Sequence, residues 1–323
     1  MKKSFKLFLA TAFLVTEFFV IALPMLTTSA RADGAIQAIT HAGFGGGTDV
    51  TTRMMLLRTR RYLKQDMQLV NKKGGGGAAS MDYMMTLPAD GQHTLTWTTG
   101  HAVSMALGKT KVKLSDMQPL ARGTDDPQLF VVNCKNEIKD AKKFISAQKS
   151  KSLKYGTTHV GGIDDVSAIA FTKKGKLTDP TIVPYKGVGP IKTNLIKGDI
   201  DVGVLNLGEA VTEIEDGTLC VSVVLASNRM EKLSNVPTAT ELGIPVVLST
   251  VRGFVTRKGV PADRKKQLED AMIKAMEHKY FQSFLTDIGL DSTSVVGADE
   301  WGKQMEVMLA EMTAQLKALG YIN

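Results

Sequence analysis

The sequence is short of the side chains that most often carry covalent or metal chemistry. Its 323 residues include two cysteines and five histidines. Cys134 and Cys220 are too distant, and too alone, for metal-ligand spacing. No H-E-x-x-H, no G-x-S-x-G and no cysteine in an activating context occurs, which removes the zincin, serine-hydrolase and thiol-enzyme classes. The glycine-rich loops fail the nucleotide tests as well. Counted from Gly43, a G-x-G-x-x-G needs glycine where Thr48 stands, and the P-loop lysine and hydroxyl are missing. Aromatics are 6% of the chain and do not interleave with a dense Lys/Arg run, so no nucleic-acid surface is indicated. No cofactor or metal is expected. Past residue 32, no apolar run is long enough to cross a bilayer.

A leader is present. Lys2, Lys3 and Lys6 precede the mostly apolar Leu7 to Leu26, and Ala30-Arg31-Ala32 has the A-x-A form of a cleavage site. The apolar stretch is long for a leader, and an uncleaved anchor is the alternative. The polar residues directly after the A-x-A favour cleavage of residues 1–32 and a soluble, exported chain from Asp33. About 290 residues then remain, enough for one large domain or two ordinary ones. The leader's four basic residues and one acidic residue take +3 from the formal charge of +8, leaving about +5, which suits an anionic small molecule. An oxidising compartment permits a Cys134–Cys220 disulfide, but two strand-end cysteines that never meet is the simpler reading.

The chain is organised around His41-Ala42-Gly43-Phe44-Gly45-Gly46-Gly47-Thr48-Asp49. A short apolar run, Ala35 to Ile39, leads in. Val50, Met54 and Leu57 follow at the spacing of one helix face, with Arg53, Arg58 and Lys64 on others. This is strand, glycine loop, helix. Three glycines in succession let backbone N–H groups approach a ligand, and the helix start favours an anion there.

The unit recurs. Gln68 to Asn71 runs into Gly74-Gly75-Gly76-Gly77 and a Met-rich helix, about Ala78 to Leu87, whose methionines read as gap-filling core. After a turn at Pro88 to Gly91, the strand Thr94 to Thr98 delivers Thr99, Gly100 and His101 to its carboxyl end, where open α/β sheets bind ligands. Leu129 to Asn133 is a buried strand, with a helix from Asp140 to about Lys149. Leu153 to Gly156 feeds a third loop, Thr157 to Asp165, and Ile182 to Tyr185 a fourth, Lys186-Gly187-Val188-Gly189-Pro190. Gly198 closes the following helix. Ile200, Val202 and Val204 alternate as a strand, Asn206 to Glu209 starts another helix, and Leu219 to Ala226 is again strand. Val247 to Val255 reads as a strand interrupted at Arg252-Gly253. Two amphipathic helices finish the chain, about Asp263 to Lys279 and Asp299 to Leu319. Leu268 and Met272 mark the core side of the first, and Trp301, Met305, Met308, Met312 and Leu316 that of the second. The alternation predicts α/β architecture with mainly parallel sheets, and four glycine loops predict a cleft lined by backbone donors.

Individual side chains carry two readings. Asp49 and Asp164 orient loops or reach ligand through water, or simply cap helices. Lys186 and Arg252 pair with a ligand carboxylate, or are surface charges. Thr48 and Thr99 offer hydroxyls or cap. His41, His101 and His159 fall on cleft-facing loop positions, as polar lining rather than as catalysts.

With these loops in order, the chain resembles the periplasmic solute-binding proteins of the tripartite tricarboxylate transporter family, in the branch associated with citrate-like tricarboxylates. Gly45-Gly46-Gly47-Thr48-Asp49 is similar to the family's first ligand loop. Asn71 with Gly74 to Gly77 resembles its Asn-x-x-Gly-x-Gly-Gly stretch, and Asp90-Gly91 with Thr94-Leu95 its Asp-Gly turn and strand. Gly161-Gly162-Ile163-Asp164 resembles its Gly-Gly-x-Asp loop. Tyr185 to Gly189, with Gly198-Asp199-Ile200-Asp201, resembles the second ligand segment, and Arg252-Gly253 its Trp-Arg-Gly. Thr48 and Val251 stand where the branch usually has Trp, and Asp165 where it usually has His.

The resemblance implies a two-domain periplasmic-binding-protein fold, type II-like, with the ligand cleft between the lobes. One domain would comprise 33–128 plus 250–323 and the other 129–249, with two crossovers as hinge. The implied ligand set is Phe44, Gly45, Gly46, Gly47, Thr48, Asp49, Thr99, His101, Gly161, Gly162, Asp164, Lys186, Gly187, Val188, Asn206 and Arg252. It implies a monomeric receptor, not an enzyme, that captures a tri- or dicarboxylate such as citrate and hands it to membrane permease subunits. A receptor feeding a membrane signalling partner, or an exported enzyme acting on an organic acid, is the competing reading.

Overall fold

The computed structural model describes residues 34–158 and 160–322; the leader and its cleavage site lie outside the described residues, as does His159. From Gly34 onward the described residues form one compact unit. In chain order the elements are β1 (Ile36–Thr40), α1 (Gly47–Leu63), β2 (Met67–Asn71), α2 (Ala78–Met85), β3 (His93–Thr98), α3 (Thr99–Ala106), β4 (Met117–Pro127) and β5 (Leu129–Asn133). Then come α4 (Ala141–Ser150), β6 (Lys154–Thr157), α5 (Ile163–Lys174), β7 (Thr181–Pro184), α6 (Val188–Lys197), β8 (Val202–Leu205), α7 (Leu207–Glu215) and β9 (Leu219–Val224). The chain ends with β10 (Ser249–Arg257), α8 (Ala262–Glu277), α9 (Lys279–Asp287), β11 (Val296–Gly297) and α10 (Ala298–Ala318).

Two sheets result, one per lobe. The first has the order β11-β4-β10-β3-β1-β2, the second β7-β6-β8-β5-β9. The chain passes from the first to the second between Pro127 and Leu129, and returns between Val224 and Ser249. The sheets are mixed, not mainly parallel. β2-β1-β3 and β7-β6-β8 are parallel, as the βαβ pattern requires. The crossover strands β5 and β10 enter from the other lobe and therefore run against their neighbours. The same antiparallel pairing of β5 with β9 brings Cys134 and Cys220 together in a disulfide, Cα to Cα 5.0 Å, so the simpler reading of unpaired thiols is corrected.

Periodicity located most elements to within a few residues but misassigned one face. α1 buries Thr52, Met55, Thr59 and Leu63, while Leu57 is 46% exposed. Threonines are tolerated inside because their hydroxyls bond back along the helix, Thr52 Oγ1 to Thr48 O at 2.7 Å and Thr59 Oγ1 to Met55 O at 2.8 Å. β10 is continuous; the break expected at Arg252-Gly253 is a register shift against β4. Gly253 is needed there, because a Cβ would lie 2.3 Å from Cε2 of buried Trp301. α10 packs through Trp301, Met305, Met308, Met312 and Leu316, all buried as their spacing predicts, and Trp301 meets Trp97 of β3 edge-on at 5.8 Å.

Candidate functional site

The carboxyl ends of β1, β3, β6, β7 and β8 converge on one cavity of about 470 Å³ lined from both sheets. Two of its loops share one design. In the β1–α1 loop, Gly45 has φ +75°, and its N–H donates to Asp49 Oδ2 at 3.1 Å. In the β6–α5 loop, Gly161 has φ +66°, and its N–H donates to Asp165 Oδ2. Each aspartate reaches back four residues from the first turn of its helix to brace a left-handed glycine that opens the loop. The helix N-termini of α1 and α5 thus stand at the same cavity from opposite lobes, a geometry that favours an anion.

This design reassigns the acids. Asp49 is buried beneath its loop, held by the Gly45 N–H and by Arg53 Nε at 2.9 Å, and is not in the cavity lining. Asp165, not Asp164, is its counterpart. Asp164 does line the cavity, accepting from Thr158 N at 2.8 Å and Thr158 Oγ1 at 2.6 Å. Burial pushes its carboxyl up to about 7 against the pull of the Thr158 bonds, with nearby Glu209 and Asp165 adding to the rise.

Phe44, Gly45, Gly46, Gly47 and Thr48 line the cavity from β1–α1, Gly161 and Gly162 from β6–α5, and Lys186, Gly187 and Val188 from β7–α6. Asn206 and Arg252 line it at the crossover. Thr99 and His101 do not. Thr99 Oγ1 donates to Ser249 O and accepts from Val251 N, both at 2.9 Å, sewing α3 to β10. His101 is fully buried behind the wall. Its Nδ1 accepts from Thr98 N–H at 3.0 Å, which leaves Nε2–H for Ser80 Oγ at 3.0 Å. Burial, and secondarily His41, keep it well below the usual imidazole range and neutral. Both residues lie in α3, which the periodicity did not reveal. His41 is in the lining and meets the His101 ring edge-on at 4.4 Å.

Arg252 is 2% exposed and already engaged. Its Nη1 pairs with Asp126 Oδ2 at 3.0 Å, Nη2 donates to Asn206 Oδ1 at 3.1 Å, and Nε to Thr48 Oγ1 at 3.2 Å. Asn206 in turn donates through Nδ2 to Asp126 O and Pro127 O, both 2.9 Å, while Glu209 Oε2 accepts from Asn206 N–H and completes the α7 cap. One knot therefore joins both lobes at the crossover. Gly47 makes room for it: a Cβ there would lie 2.6 Å from Arg252 Nη2. Burial raises Asp126 to about 7 despite the opposing pull of Arg252.

The cations left facing the cavity are Lys73, Lys109 and Lys186, which have no carboxylate partner among the described residues. Lys73 directly precedes the Gly74 to Gly77 run and was within reach of sequence reasoning; Lys109, just past α3, had no signal. Thr158, Val160, Glu209 and Thr250 also line the cavity, with Thr98, Gly100 and Ser104 from the end of β3 and α3, and Glu209 is legible as the third residue after an Asn helix cap. Phe44 and Val160, 86% and 68% exposed, face the opening from opposite lobes. Among the described residues no group of three or more His, Cys, Asp or Glu is disposed to hold a metal ion. None of their helices is long and apolar enough to cross a membrane.

Residues 51–319 match the family model described as the tripartite tricarboxylate transporter family receptor. The chain belongs to this family. It is a solute-binding receptor. A protein from the TAR-I ttuE-ttuC' intergenic region of Agrobacterium vitis is 26% identical over 241 residues, covering 73% of this chain and 69% of that one. Two solved structures from Rhodopseudomonas palustris share the receptor's two-lobed fold. MatC with bound malate has a TM-score of 0.78 at 23% identity, covering 87% of this chain and 98% of that chain. A second protein, solved with adipate, has a TM-score of 0.81 at 21% identity, covering 90% and 98%.

Proposed function

We propose that the receptor captures a small carboxylate in the periplasm and delivers it to the membrane permease of a tripartite tricarboxylate transporter, without catalysing a reaction. The observation that carries this reading is the pair of matched glycine loops, braced by Asp49 and Asp165, which turn the starts of α1 and α5 toward one cavity rimmed by Lys73, Lys109 and Lys186. Its volume, about 470 Å³, falls within the range of roughly 300–1,000 Å³ typical of small-molecule sites. Malate and adipate in structurally similar proteins support a di- or tricarboxylate as ligand.

In this reading one ligand carboxylate sits on the backbone N–H groups of Gly47 and Thr48 and of Gly162, the Gly45, Gly46 and Gly161 N–H groups being used within their own loops. The rim lysines, Lys186 among them, take a second, and Phe44 and Val188 cover the carbon chain. Arg252 and Asn206 act through the crossover knot that sets the two lobes at their working angle. Each charge-assisted bond contributes about 1.5–3 kcal/mol, so four at the upper end of that range reach micromolar binding, roughly −8 kcal/mol, after an ordering cost of about 4 kcal/mol. The lobes correspond to 33–128 with 250–323, and to 129–249. Ligand binds the closed arrangement better and draws the equilibrium toward it.

Thermal-shift screening with citrate, malate, adipate and aromatic acids, beside neutral sugars and amino acids, tests the assignment. A rise in melting temperature with one or more acids is expected. Stabilisation by a neutral sugar, and by none of the acids, overturns it.

A further inference from the structure

The cleft accounts for the first turn of α1 but not for the rest of that helix. Between Val50 and Gln65 the chain carries Arg53, Arg58, Arg60, Arg61 and Lys64 and no acid. Arg53 is paired with Asp49. The other four have no carboxylate within ion-pair distance among the described residues. Helical spacing places Leu57 and Arg61 on one outward stripe, opposite the buried Thr52, Met55 and Thr59, with Arg60 and Arg58 on its flanks, and exposed Lys64 follows as the left-handed C-cap. The face continues onto the start of α9. The Arg58 guanidinium lies 4.7 Å over the Tyr280 ring and Lys279 Nζ 5.7 Å from it. Leu57, Tyr62 and Tyr280 are each close to half exposed, at 46%, 46% and 49%.

A merely solvated helix face interleaves acids with bases, as Lys266 and Asp270 do on α8. Here the bases have no acid among them, with Leu57 between them and Tyr62 and Tyr280 beside Arg58 on the flank. His278 reports the crowding: loss of water, then Arg58, Lys279 and Arg61, hold its imidazole below the usual range.

We propose that this face, Leu57 to Leu63 of α1 and its cap Lys64 with Lys279 and Tyr280 of α9, docks on the anionic phospholipid surface of a membrane. Guanidinium forks match phosphate oxygens. Tyrosine and leucine suit the boundary between headgroups and acyl chains. Leu57 lies ten residues beyond Gly47, about 15 Å along the helix, so a docked receptor keeps its cleft open to solvent. Guanidinium and ammonium groups set beside half-exposed leucine and tyrosine side chains match an anionic surface with an apolar underside, which favours lipid over permease as the occupant.

The test is flotation of the chain lacking residues 1–32 with vesicles of phosphatidylcholine alone and of equal phosphatidylcholine and phosphatidylglycerol. Binding to the mixed vesicles only, reversed by high salt, is expected. Arg60→Glu with Arg61→Glu should weaken it by at least about tenfold while lowering the melting temperature by no more than a few °C, the cost of placing acids in the last turn of α1. Lys142→Glu with Lys149→Glu, the same change in net charge placed on α4, should leave binding within about twofold of the unaltered chain. Equal loss in that control reduces the effect to net charge and overturns the proposal. So does failure to bind the mixed vesicles, or binding only when permease is reconstituted in them.

Discussion

Replacing Arg252 with methionine should cost more stability in mild alkali than in mild acid. Asp126, the partner of Arg252 at 3.0 Å, titrates near 7 in the fold against 3.8 as its ordinary value, burial being the main cause. The native chain therefore holds a proton that the unfolded chain releases between those two values. Through this group, stability is greatest at about pH 4 and below, and falls as pH rises toward 7. Above 7 the carboxylate is ionised and depends on Arg252. Without the arginine a buried charge is left unpaired, a loss of roughly 3–5 kcal/mol. Its escape is to regain the proton, at about 1.4 kcal/mol for each pH unit above 7. Near pH 5.5 the carboxyl is already neutral, and the substitution removes hydrogen bonds worth about 1–3 kcal/mol in total.

The penalty at about pH 8.5 should thus exceed that at about pH 5.5 by about 2 kcal/mol, or about 4 °C in melting temperature. Urea unfolding at the two pH values measures it in the absence of ligand. Asp126→Asn in the Arg252→Met background should remove the pH dependence. Equal cost at both pH values, or no flattening by Asp126→Asn, refutes the account of the knot as an ion pair held out of water.

Asp164, also raised to about 7 by burial, faces the cavity. Affinity for a carboxylate should fall as pH rises through 7 and ionises it, and Asp164→Asn should flatten that profile in calorimetric titrations. Replacing Cys134 and Cys220 together by serine removes a cross-link spanning 86 residues of sequence. It should lower unfolding stability by roughly 2–4 kcal/mol, measured in urea beside the oxidised parent. Gly253→Ala puts a methyl 2.3 Å from the Trp301 ring. It should cost roughly 1–3 kcal/mol by overpacking, measured by the same unfolding assay.

The fold was largely legible because its signals are local. Apolar strands, glycine C-caps and the methionine-rich stripe of α10 each announce an element on a few residues. α3 and β4 escaped because they carry no such contrast. Thr99 to Ala106 contains glycine, histidine and serine, and Met117 to Pro127 mixes Arg122, Asp125 and Asp126 into a strand. The glycine loops were read as one site, and most of the residues named from them line one cavity. What the sequence could not convey was which polar groups the protein itself consumes. Asp49, His101 and Arg252 look identical on paper to ligand-binding groups. Only long-range geometry shows the first bracing a glycine, the second locked to Ser80 and Thr98, and the third tied to Asp126. The mirrored role of Asp165 was written in the repeated Gly-x-x-x-Asp spacing of Gly45 with Asp49 and Gly161 with Asp165.

The internal commitment of Arg252 has a kinetic consequence. With that guanidinium already engaged, the positive charge without a carboxylate partner that the described residues present to an approaching anion resides on Lys73, Lys109 and Lys186, at the ends of long alkyl stems. Such charges act at a distance and are screened beyond about 8–10 Å by ordinary salt, whereas donation from rigid main-chain groups acts only on contact. Ionic strength should therefore govern how fast an acid is drawn in, while the time it stays is set by backbone that salt barely reaches.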